Sequence, residues 1–159
     1  MSFLSLLRRF VVALIPTWAV TYVLACVFHS QRVIHALTEV DVKVGLSERL
    51  SMSAYDVWGL LPAYGSAIAL AITLSMAVVA LLRRWINPSS YPGALLAAIG
   101  GAMAMLVMLL SMQPIMGVTL IAGARETTGV ILQCIAGAIG GVVFHYCFKP
   151  AAHCTPHRQ

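Results

Sequence analysis

The sequence predicts an all-α integral membrane protein: a bundle of four transmembrane helices in one domain, residues 1–159. Of its 159 residues, 60% are hydrophobic and 9% are charged, whereas soluble domains carry about a quarter charged residues. Four apolar runs have the roughly 20 residues needed to cross a bilayer. No Asp, Glu, Lys or Arg lies inside these runs, so a water-soluble globule is excluded.

The first predicted span covers residues 10–29 and follows a short segment that ends in Arg8-Arg9. Pro16 and Thr17 interrupt its apolar run. A secretory signal peptide is the alternative, since a basic start and an apolar stretch are its features. The run is long for the apolar part of a signal peptide, so we expect a retained span.

An outer loop is predicted over residues 30–58, and it holds four of the five acidic residues. Valines alternate with Asp41 and Lys43 over residues 40–44, which is the periodicity of a strand. Residues 50–53 supply a possible returning strand. Such a β-hairpin is marginal alone and has to rest on the membrane surface or another loop.

Span two is predicted over residues 60–82 and ends at Arg83-Arg84. Tyr55, Trp58 and Tyr64 are expected to be interfacial aromatic residues near the start of this span.

A Pro-rich turn leads to span three, predicted over residues 93–112 and ended by Gln113-Pro114. The apolar residues 113–127 are expected to form an outer connector that does not cross the membrane. A strand added to the hairpin, a short interfacial helix and a continuation of span three remain alternatives.

Span four, predicted over residues 128–148, is expected to be the helix against which the others pack. Gly137 and Gly141 have the four-residue spacing that lets two backbones approach closely in lipid, and Gln133 lies on the same face. Gly100 and Gly101 of span three suggest a tight antiparallel pair with it. Packing within one bundle is the simplest interpretation of these residues; self-association or docking to a larger complex is the alternative.

The distribution of charge predicts that both termini are cytoplasmic, because basic residues are enriched on that side of membrane proteins. All five acidic residues fall on the outer side. Six basic residues fall on the cytoplasmic side and four on the outer side: Arg8, Arg9, Arg83, Arg84, Lys149 and Arg158 against Arg32, Lys43, Arg49 and Arg125.

No cofactor or metal is expected. The four cysteines form no C-x-x-C pair, which argues against a thiol oxidoreductase. His145-x-Cys147 and the residues 153–157 match no established zinc or copper spacing. The methionines of span three are typical of adaptable packing. The hypothesis of a proton-coupled transporter is weakened as well. Such a transporter needs an ionisable residue inside the membrane, and the predicted spans contain no Asp, Glu, Lys or Arg.

The outer face carries the candidate recognition residues Asp56, Arg125, Glu126 and Trp58. The simpler interpretation is an ion pair that fixes the connector to the outer loop. The functional alternative is a polar patch that recognises a partner or an anionic headgroup. No Ser/His/Asp set or phosphate loop accompanies the two carboxylates, so we predict that the protein is not an enzyme.

The leading functional hypothesis is a non-enzymatic accessory or scaffold subunit of a membrane complex, acting through helix packing and its acidic outer loop. The alternative is a self-assembling pore or carrier for a small or apolar molecule, with Gln133 and Thr73 lining a shared cavity. A lipid-directed enzyme ranks third. Expected partners are membrane lipid and other membrane subunits or a second copy, without nucleic acid. The expected location is the bacterial cytoplasmic (inner) membrane.

Overall fold

The structure, a computed structural model, describes residues 3–38, 45, 51, 54–55, 57–85, 93–116 and 127–148. These residues are almost entirely helical, and none of them forms a strand. The four long helices are α1 (Phe3–Thr38), α2 (Ser66–Trp85), α3 (Gly93–Met116) and α4 (Thr127–Cys147). A π-helical turn, Leu61–Gly65, leads directly into α2.

All four helices are long and apolar enough to cross a membrane. With 36 residues, α1 is about 54 Å long, which exceeds the roughly 30 Å of a bilayer core. The helix does not end near His29, as expected, but continues to Thr38. No Gly or Pro lies between these residues to end it, so the first part of the predicted outer loop is helical.

Two prolines predicted to interrupt or end helices are accommodated within them. Pro16 lies inside α1, and Pro114 lies in the last turn of α3, which ends at Met116. Membrane helices tolerate proline because nearby groups satisfy the freed backbone. Next to the Val12 carbonyl, which lacks an i+4 amide donor because of Pro16, the Thr17 hydroxyl donates to the Ala13 carbonyl at 2.7 Å. The predicted connector 113–127 therefore begins as helix; residues 117–126 lie outside the described part.

In the π turn one backbone carbonyl accepts hydrogen bonds from two amide N–H groups. The carbonyl oxygen of Leu60 lies 2.8 Å from the nitrogen of Tyr64 and 3.2 Å from that of Gly65. The hydroxyl of Ser66 donates back to the Pro62 and Ala63 carbonyls, at 2.8 and 2.9 Å. The Ala63 carbonyl also accepts the backbone N–H of Ser66, so Ser66 binds the end of the π turn through both its backbone and its side chain.

The predicted β-hairpin over residues 40–53 lies almost entirely outside the described residues. Ser51, which falls in the expected returning strand, is helical, as are residues 54–55 and 57–59.

The helices contact one another unequally. α4 packs closely against both α1 and α3, whereas α2 packs mainly against α3 and the π turn. Contacts between α2 and α4 are few. α4 is therefore the helix against which both α1 and α3 pack, whereas α2 hardly touches it.

α3 and α4 meet backbone to backbone. A Cβ atom added to Gly137 would overlap the Gly101 carbonyl, and one added to Gly141 would overlap the Ala97 carbonyl. The two pairs run in opposite directions along the helices, so α3 and α4 are antiparallel. No side chain separates their backbones at these positions.

The other neighbouring pairs are antiparallel too. Phe10 at the start of α1 packs edge-on against Phe144 and Phe148 at the end of α4, with ring centroids 5.6 and 5.9 Å apart. In the α2–α3 pair, the hydroxyl of Ser75 donates to the Gly100 carbonyl at 2.6 Å. The start of α1, the end of α2, the start of α3 and the end of α4 therefore share one end of the molecule.

We expect Gly137→Ala to destabilise the protein, although alanine normally favours a helix over glycine. The new methyl group would overlap the backbone of Gly101 and the side chain of Met105, and overpacking costs about 1–3 kcal/mol. Unfolding in mild detergent by added dodecyl sulfate, followed by circular dichroism, measures the change. Gly59→Ala is the matched control, because no atom lies within 4 Å of its added Cβ. Equal stability of the two variants would contradict the close helix contact.

Candidate functional site

A hydrogen-bonded side-chain amide joins three elements in the interior. Gln133 of α4 is 2% exposed, and its Oε1 accepts a hydrogen bond from the Tyr64 hydroxyl at 3.0 Å. Its Nε2 donates to the Ala25 carbonyl of α1, also at 3.0 Å. We call Ala25, Tyr64 and Gln133 the amide junction. It ties α1, the π turn and α4 together.

Two aromatic residues of α1 hold the π turn beside this junction. Trp18 and Tyr22 stack with ring centroids 5.8 Å apart. The Trp18 indole donates to the Gly65 carbonyl at 2.8 Å, and the Tyr22 hydroxyl donates to the Val57 carbonyl at 2.6 Å. Because Trp and Tyr away from water need partners for their polar atoms, the Trp18 bond fixes the π turn to α1 and the Tyr22 bond fixes the residues just before the turn.

The junction is suited to positioning helices rather than to chemistry. Its groups are a phenol, an amide and a carbonyl, and each makes a hydrogen bond inside the protein. Tyr64, one of the aromatic residues near the start of span two, is only 2% exposed and faces the interior of the bundle. The sequence gives no sign of this, because burial of Tyr64 depends on the π turn that directs it inward.

A lateral groove between α2 and α3 is the second candidate site. Its volume is about 570 Å³, within the range of about 300–1,000 Å³ typical of ligand pockets. Its walls are almost wholly apolar and include several small residues. The lining residues are Ala67, Leu70, Ala71, Leu74, Ser75, Val78, Met103, Ala104, Val107, Met108, Ser111 and Met112.

The two hydroxyl groups of the groove are both engaged by backbone. Ser75 donates to the Gly100 carbonyl at 2.6 Å, and Ser111 donates to the Met108 carbonyl at 2.9 Å. The groove therefore offers its occupant apolar surface, with flexible Met108 and Met112 able to adapt to its shape.

The predicted packing glycines divide between two helix contacts. Gly101, Gly137 and Gly141 lie in the α3–α4 contact, whereas Gly100 faces Ser75 and Val79 of α2. Thr73 and Gln133, expected on one polar stripe, are not brought together. Thr73 is exposed on α2 while Gln133 is buried.

Of the outer recognition candidates, only Trp58 lies in the described part of the chain, and it is 80% exposed. Asp56, Arg125 and Glu126 lie outside the described residues. Within the part that the structure describes, no three His, Cys, Asp or Glu side chains are grouped so that they could hold a metal ion.

A third cluster of polar groups lies at the end of the bundle where α2 ends, α3 begins and α4 ends. Arg83, near the end of α2, donates through Nη2 to the Gly93 carbonyl at the start of α3. The same nitrogen lies 2.5 Å from Nδ1 of His145 in α4. Sequence reasoning placed Arg83 and His145 on the same side but did not pair them, because a pairing between helices requires knowledge of their rotation.

We expect Gln133→Leu to lower the free energy of unfolding, since the Tyr64 hydroxyl would lose its buried acceptor. A double-mutant cycle with Tyr64→Phe isolates the bond. Coupling of about 0.5–1.5 kcal/mol is expected, in the range of hydrogen bonds between membrane helices. Dodecyl sulfate unfolding of the four proteins provides the measurement.

The control for this cycle pairs Tyr64→Phe with Thr73→Val. Because Thr73 is exposed, the effects of the two substitutions should add without coupling. Coupling as large as that between Tyr64 and Gln133 would show that the cycle reports general loosening rather than one hydrogen bond.

Comparison with known proteins adds no functional assignment. The chain matches no protein-family model, no curated protein and no solved structure. Its function has to be argued from the groove, the amide junction and the arrangement of charge.

Proposed function

We propose that this protein is a non-enzymatic, multi-pass membrane protein that serves as an accessory or assembly subunit of a membrane complex. In this proposal one transmembrane helix of a partner protein binds along the α2–α3 groove. The observation that carries the proposal is the groove itself, an apolar lateral opening of about 570 Å³ between two apolar helices.

The chemistry of the groove favours a helix as its occupant. Association of helices in lipid depends on close packing, because lipid tails are as apolar as the side chains that they replace. Ala67, Ala71 and Ala104 provide the small side chains that allow a backbone to approach. Met103 and Met108 supply adaptable surface beside them. Since Ser75 and Ser111 donate to carbonyls of the protein itself, recognition rests on shape.

The interior supports a structural role over transport. Gln133 is 2% exposed and hydrogen-bonded within its own chain. For Gln133 to line a pore shared between copies, the amide junction would have to open. Thr73, its expected companion, is on a different surface. These observations make a self-assembling pore the weaker proposal.

A carrier for a small apolar molecule is the second candidate function, and the volume of the groove favours it. A site of about 570 Å³ would hold a molecule of drug-like size. A lipid-directed enzyme through Asp56, Arg125 and Glu126 ranks third, because no Ser/His/Asp set or phosphate loop accompanies these residues in the sequence.

We further propose a four-helix transmembrane bundle with both termini in the cytoplasm of a bacterial inner membrane. In support, Phe10, which follows Arg8-Arg9, packs against the end of α4. Arg83 contacts His145 at the same end. An excess of basic residues on one side is typical of the cytoplasmic face. The acidic outer loop, with Trp58 exposed, is the second surface proposed for recognition.

Native mass measurement after gentle extraction, with identification of each co-purifying chain, tests the accessory function. We expect a second membrane protein in a fixed ratio to this one. A homo-oligomer, or a monomer carrying only lipid, would contradict the proposal. A bound apolar molecule in the groove would instead favour the carrier.

Ala71→Leu tests whether the groove holds the partner. Its larger side chain would fill the groove, and we expect recovery of the partner to fall about tenfold, which corresponds to about 1.4 kcal/mol. Ala77→Leu is the matched control, since Ala77 is exposed on the same helix but does not line the groove. Equal recovery with both variants would place the partner elsewhere.

A further inference from the structure

One end of the bundle carries basic groups from three helices. Arg8 and Arg9 lie on α1, and Arg83 lies near the end of α2 and contacts His145 of α4. Phe10 packs against Phe148, which brings the start of α1 to the same end. We call Arg8, Arg9, Arg83 and His145 the basic end.

The residues that the structure describes include no Asp or Glu, so none of them neutralises the basic end. The sequence has no Asp or Glu in residues 1–38, 57–125 or 127–159. In the sequence all five acidic residues fall in the connections from α1 to α2 and from α3 to α4. The helix that begins at Leu61 extends for 23 residues to Arg83, so the helix end to which the first of these connections leads lies about 34 Å from Arg83.

Arg83 is the residue for which this shortage of negative charge matters most. Its side chain is half-buried, and its Nε is buried without an acceptor among the described residues. The guanidinium keeps its positive charge in proteins. The Gly93 carbonyl and the His145 ring accept hydrogen bonds from it, but neither carries a negative charge. A cation at the membrane boundary is costly unless it is paired.

We propose that the basic end binds the phosphate of an anionic phospholipid, with Arg83 as the principal contact. The Gly93 carbonyl and the His145 ring engage Nη2 of Arg83, and among the described residues Nη1 is left to donate charge-assisted hydrogen bonds to phosphate oxygens. Basic pockets between transmembrane helices on the cytoplasmic side are known to hold anionic headgroups. Arg8 and Arg9, both exposed, add attraction for the anionic membrane surface at the same end.

The surroundings of Arg83 favour a lipid over a free phosphate ion. Leu81 and Leu82 are exposed one turn or less before it on α2, where they can contact acyl chains. Tyr146 is exposed beside His145, with ring centroids 5.4 Å apart, and such aromatic residues favour the headgroup level. A phosphate carrying acyl chains would satisfy both the charge and the apolar surface.

Native mass spectrometry of the whole protein, released from nanodiscs of mixed phosphatidylglycerol and phosphatidylcholine, tests the proposal. We expect retained phosphatidylglycerol in preference to phosphatidylcholine. Arg83→Gln should reduce the retained phosphatidylglycerol about tenfold. Arg9→Gln removes the same charge from an exposed position and should change it much less. Equal losses from both variants would overturn the proposal, since they would indicate diffuse attraction.

Two further measurements cover the possibility that Arg83→Gln does not fold. Arg83→Lys keeps the charge but loses the planar fork, and it should retain an intermediate amount of phosphatidylglycerol. For the unmodified protein, phosphatidylglycerol should raise the unfolding temperature more than phosphatidylcholine does. Equal stabilisation by the two lipids would overturn the proposal. So would release of the bound lipid by inorganic phosphate alone, because that would show a site for the free ion.

Discussion

The direct contact between the backbones of α3 and α4 is the constraint on which the rest of the structure depends. Gly101 and Gly137 leave no side chain between the two helices, and Gly141 continues the contact against Ala97. Close packing is the main source of helix association in lipid. The adjacent face of α4, which includes Gly140 and Phe144, packs against α1.

That face carries Gln133, whose position explains the irregular start of α2. An amide buried in an apolar interior has to find partners, and Gln133 finds them in Ala25 and Tyr64. Tyr64 reaches it from the π turn. Single π turns within helices are frequent at functional sites; in this protein the turn serves to connect three helices through one side chain.

The arrangement leaves two surfaces that the protein does not use for its own packing. One is the groove between α2 and α3, which is apolar and opens laterally. The other is the basic end, where positive charge gathers with no carboxylate among the described residues. The first surface suits another apolar helix and the second suits an anionic headgroup. Both inferences describe a protein that acts by binding within and at the edge of the membrane.

Hydrophobicity and length were sufficient to predict four membrane-length helices, because the bilayer requires long apolar runs with internally satisfied backbones. Helix ends were less predictable. The stop expected at Pro114 rests on a rule that holds in water but is relaxed in membrane helices, where neighbouring groups support the backbone. The helical residues beyond His29 were missed because composition marked them only as polar.

The sequence by itself determined the class of the protein, the separation of its charges and the presence of small residues suited to close packing. These properties depend on composition and order alone. The tertiary structure decided which faces meet: Gly100 toward α2 but Gly101 toward α4, Tyr64 toward Gln133, and Arg83 toward His145. Such pairings depend on the rotation and relative depth of each helix. The rotation and depth of a helix are fixed by contacts between residues far apart in the chain. The sequence pattern of a single helix carries no information about these contacts.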